Sequence, residues 1–116
     1  MKKTAIYVKH KLNAIGSAER KISQCRELAK ERQLEVVHVY CDEVKDSVQK
    51  RYDFERLLKD CRKHLFDCVI VTSAENLSRK SYEICKVYKA LKENDICLYS
   101  VLDNNEIIKA SEGESK

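Results

Sequence analysis

The chain has 116 residues, with 23 Lys and Arg against 19 Asp and Glu and a formal net charge of +4. That length suits one domain around one core, and a hydrophobic content of 43% excludes a disordered chain even with 36% of residues charged. The mild basic excess permits a nucleic-acid partner without requiring one, and no apolar run approaches the ~20 residues of a membrane span.

Residues 4–8, Thr-Ala-Ile-Tyr-Val, read as a first strand that ends in the basic run Lys9-His10-Lys11. Residues 12–16 read as a loop. Ser17 is placed to cap a helix, with Glu19 in its first turn and Ile22, Cys25, Leu28 and Ala29 at helical spacing to about residue 32. Residues 34–40 form a second strand around Val36 and Val37, and the polar, unpatterned residues 42–50 read as a loop. From Asp53 onward, Phe54, Leu57, Leu58, Cys61 and Leu65 mark an amphipathic helix. The short apolar run Cys68-Val69-Ile70-Val71 reads as a buried strand, and it breaks into the polar turn Glu75-Asn76-Leu77-Ser78-Arg79. Ile84, Val87, Tyr88 and Leu91 mark a helix over residues 81–93, and residues 96–101 form a fourth strand. Residues 103–105 have turn chemistry, and residues 106–109 read as a last short strand or a helical turn.

Strands joined through helices imply an α/β fold with three layers, a mostly parallel sheet with helices on both faces, and right-handed crossovers. The absence of Pro, with Gly only at 16 and 113, leaves no internal linker, so residues 1–110 are expected to form one domain and residues 111–116 a polar tail. In such folds ligands bind beyond the carboxyl ends of the strands. That directs attention to residues 66–79, where a buried strand opens into polar residues.

The common tenants of this fold are missing. There is no G-x-G-x-x-G and no G-x-x-x-x-G-K-[ST], so no loop can close its backbone on a pyrophosphate in that way. A receiver domain would put acidic residues where Lys9-His10-Lys11 stands. The six cysteines, at 25, 41, 61, 68, 85 and 97, form no C-x-x-C pair. They read as reduced thiols, five of them at apolar pattern positions, in a cytoplasmic protein with neither metal nor cofactor. Lys9, Lys11, Arg51 and Arg79 all fall near strand ends or in the loops after them. Brought together they would make a phosphate site; dispersed they would be solvated charges.

Five segments in order carry a resemblance. They are Ala5-Ile6-Tyr7-Val8-Lys9-His10-Lys11, the helix around Gln24-Cys25-Arg26-Glu27-Leu28-Ala29-Lys30, Leu34 through Glu43, Lys50-Arg51-Tyr52-Asp53-Phe54-Glu55-Arg56-Leu57-Leu58, and Glu75-Asn76-Leu77-Ser78-Arg79. Together they resemble the opening Y-x-R-x-S strand, first helix, second strand with its acidic turn, R-P-x-F-x-x-L-L helix start and D-R-L-S-R box of the resolvase/invertase family, the serine recombinases. The resemblance implies the resolvase catalytic-domain fold. It also implies a chemistry in which a serine attacks a DNA phosphodiester while arginines neutralise the phosphoryl oxygens.

The same alignment puts Lys11 at the nucleophile position and Lys9 at the first arginine. It retains Arg51 and Arg79, and it replaces the Asp and first Arg of the box with Glu75 and Asn76. Lysine keeps the charge of arginine but loses its bidentate fork. The resemblance therefore implies no intact catalytic set. Lys9, Lys11, Arg51 and Arg79 are phosphate candidates, and Glu75, Asn76 and Asp42 are supporting residues. Ser17 could serve as a displaced nucleophile, but it reads better as the helix cap. Family members continue into a long helix and a DNA-binding domain, and no DNA-recognition domain is expected in this chain. The implied function is a strand-exchange-family domain that has lost cleavage. Its expected partners are DNA, bound weakly or indirectly, and a second copy or an active recombinase. The alternative is a protein-interaction module, unrelated to DNA, on the same fold.

Overall fold

A computed structural model describes residues 1–45, 51–103 and, as backbone, 105–108. The elements follow as β1 (Lys3–Lys11), α1 (Ser17–Glu31), β2 (Glu35–Val44), α2 (Tyr52–Asp60) with a 3₁₀ turn at Cys61–Lys63, β3 (Cys68–Val71), a single-turn α3 (Ala74–Leu77), α4 (Ser81–Glu93), β4 (Cys97–Ser100) and β5 (Asn105–Ile108). The sheet order is β2-β1-β3-β4-β5. The first four strands are parallel, and β5 returns antiparallel on β4. Of the two readings for residues 106–109, the strand is the one observed, over Asn105–Ile108.

Strand β1 shows why the sheet has three layers. Ala5 and Tyr7 belong to a core with Leu57 of α2, Leu77 of α3 and Val87 and Leu91 of α4. Ile6 and Val8 point the other way, into a core with Cys25, Leu28 and Ala29 of α1. Side chains alternate across a strand, so a strand buried on both faces reads as an unbroken apolar run. The chain passes from β1 outward to β2 and then returns across β1 to β3. The strand order therefore reverses between β1 and β3, and the crevice at that reversal opens beyond their carboxyl ends.

Several boundaries differ from the sequence expectation. β1 and β2 run on as partners through Lys9↔Asp42, His10↔Glu43 and Lys11↔Val44. Backbone pairing continues past the apolar core, so residues 42–44 are strand rather than loop; residues 46–50 lie outside the described residues. Ser17 is the first helical residue, and the capping position is Gly16 at φ 74°, with no side-chain cap. That left-handed backbone suits glycine, and a Cβ there would meet Arg20 Nη1 at 3.0 Å. The helical period expected to reach Leu65 ends at the 3₁₀ turn, where His64 takes φ 57°. The box at residues 75–79, read as a turn, begins within the single helical turn α3, which ends at Leu77.

Two of the cysteines are brought together: Cys68 and Cys97 are registered partners on β3 and β4, with Cα atoms 4.7 Å apart and their sulfurs in contact. Cys25 and Cys61 are buried free thiols, whereas Cys85 lies on the solvent face of α4. Burial raises the Cys25 thiol to about 12 and the Cys61 thiol to about 11. Among the described residues no helix is long and apolar enough to cross a membrane. The expected tail, residues 111–116, lies outside the described residues.

Candidate anion cleft

A cleft of about 480 Å³ opens beyond β1 and β3, at the reversal point. The four cations singled out in the sequence, Lys9, Lys11, Arg51 and Arg79, all line it. Lys21 of α1, Lys45 and Lys80 join them. The fold accounts for the gathering. α1 begins at the carboxyl edge of the sheet, so a residue in its first turns faces the same edge as the end of β1. Lys21 was missed in the sequence because it interrupts no pattern. Its place in the first turns of the helix after the basic strand is the signal that could have found it.

The cations lining the cleft are held differently. Arg51 is almost enclosed, with 11% of its side chain exposed. Its Nε donates to the Tyr7 hydroxyl at 3.1 Å, one Nη donates to the Leu77 carbonyl, and the other reaches Glu83 Oε1 at 3.5 Å. Its guanidinium carbon lies 4.0 Å from the Phe54 ring centre. Its fork is thus committed to protein groups. Lys11 is exposed at the mouth of the cleft. Arg79 is 73% exposed and reaches Glu75 at 3.4 Å across a solvated pair. A pair so exposed is worth ~0–1 kcal/mol, so a competing anion can displace Glu75 at little cost.

Asp42 stands behind Arg51. Its carboxylate accepts the Tyr7 hydroxyl at 2.8 Å and the backbone N–H groups of Phe54 and Asp53, each at 2.9 Å. Those N–H groups belong to the first turn of α2, so Asp42 caps that helix from a neighbouring strand and answers its dipole. Burial pushes the Tyr7 phenol well above its ordinary value, which keeps it a neutral donor to Asp42.

Asn76 shapes the back of the cleft. Its Oδ1 accepts the Lys9 N–H at 3.0 Å, and its Nδ2 donates to the Lys9 carbonyl at 2.8 Å. The β1–β3 register ends at Ile6↔Ile70, so this side chain pairs with β1 just beyond the last strand pair. Ser73 Oγ accepts the Asn76 N–H at 3.0 Å and caps α3. The Lys9 carbonyl also accepts Lys21 Nζ at 2.7 Å. Asn76→Ala should cost ~2 kcal/mol, because it strips two partners from the end of β1. Thermal melting alongside Glu75→Ala, which should change little, checks this.

Burial, followed by the charges of Arg51 and Arg79, lowers the Lys9 ammonium from its ordinary value. Burial, followed by Arg20, lowers Lys21, with Cys41 acting in the opposite direction. Crowded, partly desolvated cations gain most from a bound anion, which relieves their mutual repulsion. His10, also on the lining, has its Nδ1 buried without a hydrogen-bond partner, whereas Ser78 is committed. Ser78 Oγ donates to Glu83 Oε1 at 2.5 Å and accepts the Lys80 N–H at 3.1 Å. Among the described residues no group of His, Cys, Asp and Glu is placed to hold a metal ion.

The family model described as "Resolvase, N terminal domain" matches residues 10–115. No curated protein sequence matches the chain. Among solved structures it is similar to the N-terminal catalytic domain of TP901-1 integrase, at TM-score 0.77 and 24% identity over 90% of this chain and 80% of that one. It is similar also to a resolvase family site-specific recombinase from Streptococcus pneumoniae, at TM-score 0.79 and 20% identity over 90% and 75% of the two chains. A third is the C-terminal catalytic domain of ISC1926 TnpA, an IS607-like serine recombinase, at TM-score 0.74 and 19% identity over 87% and 70%. At these identities the likeness is one of fold.

Proposed function

The chain belongs to the resolvase family, as a serine-recombinase-like domain, and on that premise we propose that it holds a DNA phosphate in its basic cleft without cleaving the strand. The observation that carries this reading is the end of β1. Lys11 stands at the position that the family resemblance assigns to the nucleophile, and a lysine presents an ammonium where a hydroxyl is needed. Of the hydroxyls lining the cleft, those of Thr72, Ser73 and Ser78, none stands at that position. Ser73 accepts the Asn76 N–H, and Ser78 is held between Glu83 and the Lys80 N–H. With Arg51 committed to Tyr7, Leu77 and Glu83, the charges left to meet a phosphate include Lys9, Lys11, Lys21 and Arg79. They supply attraction and no covalent path.

On this reading the domain binds or regulates in DNA rearrangement, inside the cell, paired with a second copy or with an active relative. The Arg79–Glu75 pair favours a second reading, a protein-interaction module in which the cations are answered within the chain. A salt titration separates the two. Each lysine or arginine on a phosphate adds close to one unit to the slope of log affinity against log salt. Binding of a labelled duplex should weaken steeply with salt, and Lys21→Ala should lower the slope by about one. An unchanged slope in Lys21→Ala removes that lysine from the site, and no salt-dependent binding by the parent chain favours the interaction module.

A further inference from the structure

We infer that His10 is a further ligand of the phosphate in the cleft, offering a neutral hydrogen bond from Nε2 beside the ammonium of Lys21. The inference rests on the phosphate-holding reading above and adds a ligand of a different kind. Its first support is an unanswered atom. Among the described residues, Nδ1 of His10 is the buried side-chain nitrogen or oxygen that has no hydrogen-bond partner. Buried polar groups are nearly always paired, because an unpaired one destabilises the fold. A polar ring kept at that cost, in the wall of a basic cleft, points to a use that folding does not supply.

The second support is position. His10 is half-buried and lines the cleft with Lys9, Lys11 and Lys21. Side chains alternate along β1, so His10 shares the face of Ile6 and Val8, which packs on α1. Lys21 comes to the cleft from that same helix. One of its N–H groups goes to the Lys9 carbonyl, and the ammonium keeps two more donors for a ligand.

The buried nitrogen also selects the form of the ring. A neutral imidazole carries its proton on one nitrogen, and an imidazolium carries one on each. A proton on Nδ1 would bury an N–H with nothing to accept it, and orphaned buried N–H groups are rarer than orphaned acceptors. The proton therefore belongs on Nε2, with a lone pair left inside. Nε2–H is then a donor at the wetter edge of the ring, and it meets the anion without bringing a charge.

The test is a salt titration of a labelled duplex at neutral pH with the full chain, as parent, His10→Leu, His10→Gln and Lys21→Ala. His10→Leu should weaken binding on the order of tenfold, from the loss of one hydrogen bond to a charged group. The loss should be equal at every salt concentration, so the slope of log affinity against log salt stays that of the parent, whereas Lys21→Ala lowers it by about one. The melting temperature of His10→Leu should be no lower than the parent's, because leucine removes the unpaired nitrogen. His10→Gln puts an amide donor near the place of Nε2 and should recover most of the affinity. Parental affinity in His10→Leu, or no recovery in His10→Gln, overturns the inference. So does a slope lowered by about one in His10→Leu, the mark of a charged ring drawn by Glu43, its registered partner on β2. Weaker binding with a lower melting temperature assigns His10 to the fold and overturns it as well. In each of these cases a lowered slope in Lys21→Ala leaves the phosphate reading intact. Absence of salt-dependent binding by the parent chain overturns both.

Discussion

Asp42→Ala is expected to remove ~4 kcal/mol of folding stability, the largest loss from any single substitution near the cleft. Asp42 is 7% exposed and accepts three hydrogen bonds, from the Tyr7 hydroxyl and from two N–H groups at the start of α2. Alanine would leave all three donors without a partner inside the fold. Hydrogen bonds to a charged group contribute ~1.5–3 kcal/mol each, and the helix-terminus charge effect reaches ~2 kcal/mol in partly buried sites. These contributions overlap, so the sum is not taken. A domain of this kind has a total stability of ~5–15 kcal/mol, so the variant should unfold at markedly lower urea. Asp42→Asn keeps an acceptor and loses the charge, so it should fall about halfway. If Asp42→Ala unfolds within ~1 kcal/mol of the parent, the cap on α2 is not what holds β2 and α2 together.

Arg51→Lys should cost ~3 kcal/mol in stability, although it conserves charge. The guanidinium uses its planar fork on Tyr7, Leu77 and Glu83 and lies over the Phe54 ring. An ammonium can meet one of those acceptors and cannot stack in the same way. The residue ties α2 to β1, α3 and α4, so its loss should loosen the whole mouth of the cleft. Nucleic-acid affinity should fall together with the melting temperature. Lys21→Ala, by contrast, should weaken binding and leave the melting temperature nearly unchanged. If Arg51→Lys weakens binding at undiminished stability, Arg51 is primarily a phosphate ligand, and its protein contacts are incidental.

The framework of the fold is legible in the sequence where burial imposes a period. Phe54, Leu57 and Cys61 mark the inner face of α2 and its 3₁₀ turn, and the unbroken run Cys68 to Val71 marks a strand buried on both sides. Legibility fails where a polar residue serves a tertiary partner. Asp42 sits in a stretch that reads as loop, because a buried carboxylate capping a distant helix has no local signature. Asn76 reads as the loss of an arginine, yet its amide makes a reciprocal pair with Lys9 that only the β1–β3 arrangement creates. Ser17 has the chemistry of a cap, but Gly16 takes the backbone angle that the loop requires.

The cleft divides in the same way. That Lys9, Lys11, Arg51 and Arg79 lie at one edge follows from strand ends in a parallel sheet, and the structure places all four along one cleft. Which of them is available to a ligand does not follow. Arg51 is committed because Tyr7 and Glu83 reach it from β1 and α4, while Arg79 is left at the solvent edge. Lys21 enters because the start of a helix is carried to the carboxyl edge of the strand before it, a consequence of topology that no side-chain pattern announces.

The most direct measurement is covalent trapping on a suicide DNA substrate, with a cleavage-competent serine recombinase run in parallel. The account predicts salt-dependent binding and no protein–DNA adduct on a denaturing gel, under conditions in which the competent enzyme is trapped. An adduct formed by this chain would contradict it, and the residue carrying the phosphate would identify the group that acts as nucleophile.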